Sequence, residues 1–362
     1  MKKAAFTDLL MHWHFNHNKR QMPWKGEKDP YKVWLSEIIL QQTRVEQGWQ
    51  YFERFCSQYP DIQSLAGAKD EDVFKLWEGL GYYNRCKNLL ATARLITNKY
   101  NGIFPKDYET ILSLKGIGSY TAAAIASFCF GLPYPVIDGN VLRVLSRVNA
   151  IETPVDSPGA KKIFTKLAEK LLYKPDPGAF NQAIMDFGAT VCKPALPLCS
   201  TCPLQQICLA RKTGKVNMLP VKEKTLKRKT RWFSYFIFRN GGKTLIHKRT
   251  AKDIWQNLFE FYLVETVDNL KWDKQKVKEW LKEQVNITDE PGIQIFLAEA
   301  QQLTHQEIRG YFITISLAAI PALLQTPSFQ WLEAGEVSQL PFPAFINQYV
   351  NKIAIQAELF NC

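Results

Sequence analysis

Four of the eight cysteines fall in one short stretch, and this cluster limits how the surrounding segment can fold. Cys192, Cys199, Cys202 and Cys208 follow the pattern C-x6-C-x2-C-x5-C. The others are scattered, as isolated thiols usually are: Cys56, Cys86, Cys129 and Cys362. In a chain kept under reducing conditions, a tight cysteine cluster indicates a metal site rather than a disulfide framework.

Four thiolates can hold either a structural zinc ion or an iron–sulfur cluster. Zinc sites usually contain two close pairs of cysteines, whereas only Cys199 and Cys202 form such a pair here. The wider spacings and the prolines of this loop, Pro194, Pro197 and Pro203, suit a segment that wraps a cubic cluster. The pattern therefore favours a [4Fe–4S] cluster and leaves zinc as the alternative.

Charge is distributed unevenly along the 362 residues. Residues 1–228 carry 32 Lys or Arg and 20 Asp or Glu, while residues 229–362 carry 14 of each, so the whole net charge of +12 lies in the first part. A basic surplus confined to one region indicates a polyanionic partner, with solubility alone as the alternative. No apolar run approaches the roughly 18 residues of a membrane span, and the N-terminus lacks the features of a signal peptide. We expect an intracellular protein that does not bind a membrane.

Helical periodicity dominates roughly the first 210 residues. The segment DPYKVWLSEIILQQTRVEQGWQYFERF predicts a helix that begins at Pro30, with Asp29 as its N-cap. NRCKNLLATARLITNKY predicts a helix that ends at Asn101–Gly102, and SPGAKKIFTKLAEKLL predicts one capped by Ser157. Strand patterns are absent from this region of the sequence.

Strand patterns begin at residue 231. Residues 214–230 are basic and lack an apolar period, which predicts an exposed linker. WFSYFIFRNGGKTLIHKR then predicts a β-hairpin that turns at Asn240-Gly241-Gly242. FEFYLVET and YFITISLAAI predict further strands, KWDKQKVKEWLKEQV a helix, and PFPAFINQYVNKIAIQA a closing helix. We expect a multi-domain chain, with an all-α domain over 1–213 that includes the cysteine loop at 192–208, a linker over 214–230 and an α+β domain over 231–362.

The sequence LKGIGSYTA places Gly116 and Gly118 directly before a predicted helix. Alternating glycines let the backbone turn tightly and expose N–H groups at a helix N-terminus, which favours phosphate binding. A purely structural turn is the alternative. Twenty residues later, Asp138 in VIDGN precedes the next predicted helix, where its simplest role is that of an N-cap.

These motifs together resemble a known superfamily. LKGIGSYTA, VIDGNVLRV and the four-cysteine loop, in this order and spacing, resemble the helix-hairpin-helix glycosylases that include endonuclease III. WLSEIILQQT, GLGYYNR, MPWK and FNQAIMDFGA, with the appended α+β region, resemble the MutY family of adenine DNA glycosylases. The resemblance covers nearly the whole chain. It implies a two-lobed helical glycosylase domain with a [4Fe–4S] cluster and a C-terminal Nudix-like domain.

The resemblance also implies a function. A member of this family excises adenine mispaired with 8-oxoguanine or guanine from double-stranded DNA in base-excision repair. We therefore expect a cytoplasmic, nucleoid-associated monomer whose partner is duplex DNA containing such mispairs.

Two carboxyl groups suit the cleavage of an N-glycosidic bond, which needs a proton for the departing base and negative charge beside a cationic sugar. The helical neighbours of Glu37 are apolar: Val33, Trp34 and Leu40. Such surroundings favour the protonated form of Glu37, which suits a general acid. By resemblance, Glu37 protonates adenine at N7 and helps to activate water, while Asp138 stabilises the cationic sugar.

Tyr120 follows the glycine hairpin, at the position where bifunctional members of the superfamily carry a lysine that forms a Schiff base with the sugar. A phenol cannot form an imine. The sequence therefore predicts a monofunctional glycosylase that leaves an abasic site. By resemblance, Tyr120 lies beside the reacting sugar and assists Asp138.

Further positions correspond to contacts with the DNA. The adenine pocket corresponds to Arg20, Trp24, Lys25, Leu40 and Gln182. The wedge that fills the gap left by a flipped base, together with the hairpin at the backbone, corresponds to Gln42, Leu80, Tyr82, Gly116 and Gly118. Lys25 departs from the family, which usually has an arginine with its planar fork after Pro-Trp.

The C-terminal region resembles the Nudix fold in GGKTLIHKR and IWQNLFEFYLVE. A Nudix metal-binding box is not found between residues 240 and 300, so nucleotide hydrolysis is not expected. Leu303, Thr304 and His305 match the family's Phe-Ser-His loop, which reaches 8-oxoguanine. Leu303 replaces the aromatic residue of that loop, and Asn257 replaces a usual glycine.

Two rival functions remain open. An endonuclease III-like lyase acting on oxidised pyrimidines is disfavoured by Tyr120, Glu37 and the additional domain. A non-catalytic iron–sulfur protein that binds DNA would not need an acid in the setting of Glu37. Either rival could carry zinc in place of the cluster.

Overall fold

Helices form almost all the regular structure before residue 224, as the periodicity predicts. A computed structural model of the protein describes residues 3–223 and 228–350. The helices of the first range are α1 (Lys3–His17), α2 (Pro30–Leu40), α3 (Val45–Gln58), α4 (Ile62–Gly67), α5 (Asp70–Trp77), α6 (Asn84–Tyr100), α7 (Tyr108–Ser113), α8 (Ser119–Phe130), α9 (Gly139–Asn149), α10 (Ala160–Leu171), α11 (Pro177–Thr190) and α12 (Leu209–Lys212). None of the helices within the described ranges is long and apolar enough to cross a lipid bilayer.

Local capping signals set several helix ends. The Asp29 carboxylate accepts a hydrogen bond from the Tyr31 backbone N–H at 2.9 Å and caps α2 as predicted. Helix α6 ends where Asn101 and Gly102 adopt φ angles of 52° and 76°. The predicted Ser157 cap is wrong, because Gly159 stands at the N-cap of α10 and the Ser157 hydroxyl donates to the Pro154 carbonyl oxygen instead.

The predicted helix from Pro30 is shorter than its periodicity suggests. Gln42 adopts a φ of 59°, which interrupts the helical path after Leu40, and α3 starts only at Val45. A left-handed residue cannot continue a right-handed helix. The break leaves α2 as a short helix that is buried over most of its length and carries Glu37 in its interior.

The glycine hairpin joins α7 to α8. Gly116 has a φ of 81°, and a Cβ atom at this residue would lie 2.7 Å from the Asn88 Cβ, so only glycine fits. The Ile117 N–H donates to the Leu114 carbonyl oxygen at 3.1 Å and closes the turn. Gly118 stands at the N-cap of α8, which places the N–H groups of the first helical turn beside the hairpin.

The main core of this helical region lies where α1, α8, α9, α10 and α11 pack together. Its largest buried side chains include Phe6, Phe164, Phe180 and Phe187, and Trp13 meets Phe187 edge to face with ring centroids 5.1 Å apart. Helix α1, which was not predicted from the sequence, therefore packs against α11.

Beyond residue 228 the described strands form one eight-stranded sheet in the order β3-β2-β1-β7-β5, with β4 on β1, β6 on β7 and β8 on β2. The strands are β1 (Lys229–Asn240), β2 (Lys243–Lys248), β3 (Phe259–Glu260), β4 (Tyr262–Thr266), β5 (Gly292–Leu297), β6 (Gln301–Gln302), β7 (Gln306–Ser316) and β8 (Phe329–Glu333). The hairpin prediction is confirmed, because Asn240 pairs with Lys243 across the two glycines. Helices α13 (Lys274–Val285) and α14 (Ala334–Gln339), a short 3-10 helix (Ala322–Leu324) and the helical residues 344–350 complete this α+β region.

The described residues divide into two compact units, which differ from the predicted limits. The first unit lies within 1–67 and 87–224, and the second within 68–86 and 225–362. Helix α5 belongs to the second unit because Lys248 Nζ lies 2.5 Å from the Glu71 carboxylate and Lys75 Nζ donates to the Leu340 carbonyl oxygen at 3.0 Å. Sequence patterns cannot show such a long-range association.

The predicted linker over 214–230 is largely structured. Leu219 is buried, and the Val155 N–H donates to the Val221 carbonyl oxygen at 3.0 Å, so residues up to 223 pack onto the first unit. Strand β1 begins at Lys229, inside the predicted linker. Residues 224–227, and the part of the predicted closing helix after residue 350, lie outside the described residues, as does Cys362.

Candidate active site

A cavity of about 400 Å³ opens in the first unit, within the size range of small-ligand pockets. It is bordered by α2, α8, α11 and the segments that precede α2 and α9. The residues predicted for catalysis and for the adenine pocket all line this cavity: Arg20, Trp24, Lys25, Glu37, Leu40, Tyr120, Asp138 and Gln182. The fold therefore gathers residues that lie up to 162 positions apart.

Glu37 lies on α2 and is 7% exposed. Burial raises the pKa of its carboxyl to about 7, the Tyr120 hydroxyl acts in the opposite direction by donating a hydrogen bond, and the charge of Asp138 raises the pKa further. The prediction that apolar neighbours favour the protonated form agrees with this geometry. At neutral pH, the carboxyl of Glu37 can therefore supply a proton and take one back.

Tyr120 stands in the first turn of α8, directly after the glycine hairpin. Its hydroxyl donates a hydrogen bond to the Met185 sulfur at 3.5 Å and also has a hydrogen-bonding interaction with the Glu37 carboxyl. Burial is the main cause that raises the pKa of this phenol well above its usual value, and the negative charges of Glu37 and Asp138 raise the pKa further. The hydroxyl therefore stays protonated and can act as a hydrogen-bond donor at neutral pH.

Asp138 caps α9 and also lines the cavity. Its carboxylate accepts hydrogen bonds from the Val141 backbone N–H at 2.7 Å and from Asn140 Nδ2 at 2.8 Å. Burial raises the pKa of Asp138, and these two bonds lower it by stabilising the ionised form. Oδ1 accepts from Val141 and Oδ2 accepts from Asn140. Asp138 can therefore cap α9 and line the cavity at the same time.

Arg143 and Gly188 support the segment that carries Asp138. Arg143 Nη2 donates to Asn140 Oδ1 and to the Gly188 carbonyl oxygen, both at 2.8 Å. A Cβ at Gly188 would lie 2.7 Å from the Asn140 Cβ, so helix α11 and this segment are in direct backbone contact. Asn140, which was not among the predicted site residues, also lines the cavity.

Asp186 lies behind one wall of the cavity and was also not predicted. Its carboxylate contacts Arg20, Lys25 and Gln182, three of the predicted pocket residues. The signal available in the sequence is an acidic residue in the apolar helix FNQAIMDFGA, one turn after Gln182. Lys25 also donates from Nζ to the Arg20 carbonyl oxygen at 2.7 Å, so its ammonium group is held by the protein itself.

Trp24 forms an apolar part of the cavity wall and is 8% exposed. Its ring meets Phe52 edge to face, with centroids 5.3 Å apart, and lies 6.5 Å from the Trp49 ring. Packing from α3 therefore holds the indole in place beside the open space. A flat aromatic surface of this kind can contact the face of a planar base.

The predicted wedge and hairpin positions lie outside this cavity. Gln42, Gly116 and Gly118 are exposed in the first unit, where the hairpin N–H groups can face a phosphate. In the second unit Tyr82 is 43% exposed, whereas Leu80 is buried and is not presented at the surface.

The four clustered cysteines of the first unit line a common, mainly apolar cavity together with Arg147 and Leu204. In the described part of the chain, their side chains do not lie close enough together to form a set of ligands around one metal ion. Their chemistry nevertheless fits an iron–sulfur cluster, because four soft thiol donors line one mainly apolar cavity.

Arg147 organises the loop between the first two cysteines. Arg147 is 2% exposed, and its Nη1 donates to the Lys193 carbonyl oxygen at 2.7 Å and lies 3.5 Å from the Cys192 sulfur. Nη2 and Nε donate to the carbonyl oxygens of Pro194 and Leu219. Burial raises the pKa of the Cys192 thiol, and the Arg147 guanidinium acts in the opposite direction because a charged donor near a sulfur favours the thiolate.

Leu303, Thr304 and His305 form the turn between β6 and β7. The Leu303 N–H donates to the Gln306 carbonyl oxygen at 2.7 Å, and the Lys229 N–H donates to the His305 carbonyl oxygen at 3.0 Å. His305 is exposed, whereas Leu303 and Thr304 are partly buried.

Asn257 departs from the glycine that is usual at its position. It adopts a φ of 73°, a conformation that asparagine tolerates better than most residues with a side chain. Its N–H donates to the Arg249 carbonyl oxygen at 2.8 Å, so the turn forms without glycine.

Comparisons with known proteins agree with this architecture. Residues 35–172 match the HhH-GPD superfamily of base-excision DNA repair proteins, and residues 234–352 match the NUDIX domain. An adenine DNA glycosylase of Buchnera aphidicola subsp. Acyrthosiphon pisum is 38% identical over 290 residues, which cover 79% of this chain and 80% of that protein. The human adenine DNA glycosylase is 42% identical over 217 residues, which cover 58% of this chain and 40% of that protein.

A solved structure supports the fold of the helical region. A thermostable thymine-DNA glycosylase superposes with a TM-score of 0.55 at 28% identity, covering 59% of this chain and 97% of that chain. The predicted fold class, the family resemblance and the prediction of a glycosylase are confirmed by these matches. The chain belongs to the adenine DNA glycosylases, a family of base-excision repair enzymes that act on DNA.

Proposed function

We propose that this enzyme is a monofunctional glycosylase that flips adenine out of A:8-oxoguanine and A:G mispairs and hydrolyses its glycosidic bond, leaving an abasic site. One observation carries the proposal. Glu37 and Asp138 line the same cavity, with the Tyr120 hydroxyl bonded to Glu37. An acid whose pKa is close to 7 and a second carboxylate stabilised by hydrogen bonds match the two needs of the reaction.

In the proposed first step, the Glu37 carboxyl donates its proton to N7 of adenine. The bond between C1′ of the sugar and N9 of the base then breaks, and its electron pair leaves with the base, which departs as neutral adenine. The sugar is left as an oxocarbenium ion. The resulting Glu37 carboxylate accepts a proton from a water molecule as the water oxygen bonds to C1′, which completes the hydrolysis.

Asp138 acts on the sugar in this scheme. Its carboxylate, held by Val141 and Asn140, places negative charge where positive charge develops at C1′. Because the donors are fixed before substrate binds, little reorganisation is needed during the reaction. Tyr120 orients Glu37 through the hydrogen bond between them and adds a hydroxyl beside the sugar.

The absence of a Schiff-base lysine at position 120 supports the monofunctional assignment. The amines that do line the cavity are engaged elsewhere: Lys25 Nζ with Asp186 and the Arg20 carbonyl oxygen, and Lys28 Nζ with the Phe128 carbonyl oxygen. An amine held in this way is poorly placed to attack C1′.

The test uses the purified full-length protein and a duplex with a single A:8-oxoguanine pair, with A:G and A:T duplexes in parallel. We expect strand cleavage at the adenine only after treatment with alkali. Glu37→Gln is the matched control, because the amide retains the shape of the side chain but has no acidic proton to transfer. Strand cleavage without alkali would establish a lyase instead, and no cleavage after alkali would refute the glycosylase assignment.

Thr304 and His305 are proposed to read the base opposite the adenine. The proposal is supported by their place in the tight β6–β7 turn and by the neutral charge of residues 229–362, which offers no general attraction to phosphates. A protein ending at Glu223 retains the structured residues around Leu219. We expect it to remove adenine opposite guanine but to lose roughly tenfold to a hundredfold of its preference for 8-oxoguanine. Unchanged discrimination would place lesion reading within residues 1–223.

Cys192, Cys199, Cys202 and Cys208 are proposed to hold a [4Fe–4S] cluster, which would tie together the loop that joins α11 to α12. The Arg147 guanidinium beside Cys192 supports a site for thiolates. Iron and sulfide analysis of protein prepared without oxygen should give four iron atoms per chain. One zinc ion per chain without iron would refute the proposal and support the alternative that the spacing left open.

A further inference from the structure

Asp186 is a buried carboxylate that gathers polar groups from two distant parts of the chain. Its side chain is 0% exposed. Oδ1 accepts from Arg20 Nη1 and from Gln182 Nε2, each at 2.9 Å, while Oδ2 accepts from Asn18 Nδ2 at 2.8 Å and lies 3.2 Å from Lys25 Nζ. Asp186 itself does not line the cavity, so it can act on a bound base only through these neighbours.

The contact with Gln182 determines how its amide is oriented. A carboxylate oxygen can only accept hydrogen bonds, so the group that Gln182 directs at Asp186 must be its NH₂ group. The carbonyl oxygen Oε1 is then the end available to the cavity. Among the described residues, no donor is assigned to this oxygen.

The surrounding charges maintain this arrangement. A buried carboxylate requires partners, and Arg20 and Lys25 supply two cations within 3.2 Å of it. Gln182 and Asp186 are also one helical turn apart on α11, so their side chains share one face of the helix. Rotation of the amide by half a turn would bring two acceptor oxygens together, which is strongly unfavourable.

We propose that Asp186 is a positioning residue for base selection: by holding the Gln182 amide with its oxygen toward the cavity, it selects a base that carries an exocyclic amino group. This inference rests on the proposed function. The N6 amino group of adenine donates to Oε1, whereas the keto oxygen of a base such as hypoxanthine would face another acceptor. Unsubstituted purine has only hydrogen at C6, so it makes neither this hydrogen bond nor a repulsive contact between two acceptors at Oε1.

The experiment measures single-turnover excision of three bases placed opposite the same partner: adenine, hypoxanthine and unsubstituted purine. In Asp186→Asn, the side chain can donate as well as accept, so the Gln182 amide is no longer held in one orientation. We expect the ratio of adenine to hypoxanthine rates to fall by at least about tenfold relative to the unmodified enzyme. General damage to the enzyme would instead lower the three rates by the same factor.

Two controls separate the orientation of Gln182 from other effects. Asn18→Ala removes a donor to Asp186 that is not in contact with Gln182, and should leave the ratio unchanged. In a Gln182→Ala background, Asp186→Asn should no longer alter the ratio, because the amide that it orients is missing. A change of ratio in that background would overturn the inference.

Loss of the buried charge could prevent Asp186→Asn from folding, so a second variant is needed. Asp186→Asn combined with Arg20→Met restores the net charge, and the remaining cation, Lys25, should draw the new amide oxygen toward itself. The NH₂ group would then face Gln182 and invert its amide, which should shift the ratio further toward hypoxanthine than Arg20→Met alone.

The outcomes distinguish the inference from the function on which it depends. If the unmodified enzyme does not release adenine, the proposed function fails. If it does and the ratio is unchanged in both Asp186 variants, only the inference is refuted.

Discussion

The hydroxyl of Tyr82 is hydrogen-bonded to the hydroxyl of Thr304, although 222 residues separate them in the chain. Tyr82 adopts a φ of 50° and is 43% exposed, and Thr304 lies in the β6–β7 turn of the same compact unit. The proposed wedge and the proposed lesion reader are therefore neighbours before any DNA is bound.

This contact predicts that the two side chains act together on the base opposite the adenine. We expect Thr304→Ala to weaken binding to an A:8-oxoguanine duplex less in a Tyr82→Phe background than in the unmodified enzyme. A coupling free energy of about 0.5–1.5 kcal/mol is typical of one neutral hydrogen bond. Binding is measured with duplexes that carry a non-cleavable adenine analogue. His305→Ala serves as the control, because it leaves the hydrogen bond between the Tyr82 and Thr304 hydroxyls in place and its effect should therefore be the same in both backgrounds. Strictly additive effects would argue against joint action.

Excision should slow as the pH rises above about 7, because Glu37 must carry a proton and its pKa is raised to about 7. The expected loss approaches tenfold per pH unit in the single-turnover rate. His14 also lines the cavity, but burial lowers its pKa below the usual 6.5, so it is already neutral in this range. A profile that stays flat from pH 6 to pH 9 would exclude Glu37 as the proton donor.

Glu37→Gln should stabilise the protein most at alkaline pH. The carboxyl has a pKa of about 7 when folded and 4.5 as the unperturbed value, so its ionisation costs folding free energy progressively as the pH rises between these values. From pH 5.5 to pH 8 the gain in unfolding free energy for the variant should grow by about 2 kcal/mol. Urea unfolding measures it, with Glu169→Gln on an exposed side chain as the control. A pH-independent difference would contradict the raised pKa.

Gly188→Ala should lower the rate of excision by more than any loss of folding stability can explain. The added methyl group would press on Asn140, whose Cβ would be only 2.7 Å away, and so displace the segment that carries Asp138. We expect at least about a hundredfold lower single-turnover rate, since a shift of about 1 Å at a reacting group has effects of this size. Gly67→Ala, where the new Cβ meets nothing within 4 Å, is the matched control. Normal excision by Gly188→Ala would show that the segment carrying Asp138 can move to accommodate the methyl group without any loss of activity.

Arg147→Met should reduce both iron content and stability. The change leaves the carbonyl oxygens of Lys193, Pro194 and Leu219 without their buried donor. We expect a loss of at least about 3 kcal/mol in unfolding free energy and fewer than four iron atoms per chain. Lys212→Met, on an exposed residue after the last cysteine, should affect neither quantity. Full iron content in Arg147→Met would mean that the loop forms without this support.

Local sequence signals were enough to determine several parts of this protein. Asp29 caps α2, Asn101 and Gly102 end α6, and the paired glycines after Asn240 turn the first hairpin, as predicted. Each of these features depends on atoms only a few residues apart, so the sequence contains all the information needed. The apolar surround of Glu37 was predictable for the same reason, because residues one helical turn away supply much of it.

Other features arose only from tertiary packing. The ion pair between Arg20 and Asp186 joins residues 166 positions apart and exists because α1 packs against α11. Leu80, predicted as part of the wedge, is buried. Leu219 is also buried, and its packing makes part of the predicted linker belong to the first unit. No local periodicity encodes such contacts, since they depend on which apolar faces meet and exclude water. The sequence by itself therefore determined most of the helices, the first hairpin and many of the residue types of the active site, whereas packing decided which polar groups Asp186 would hold in place.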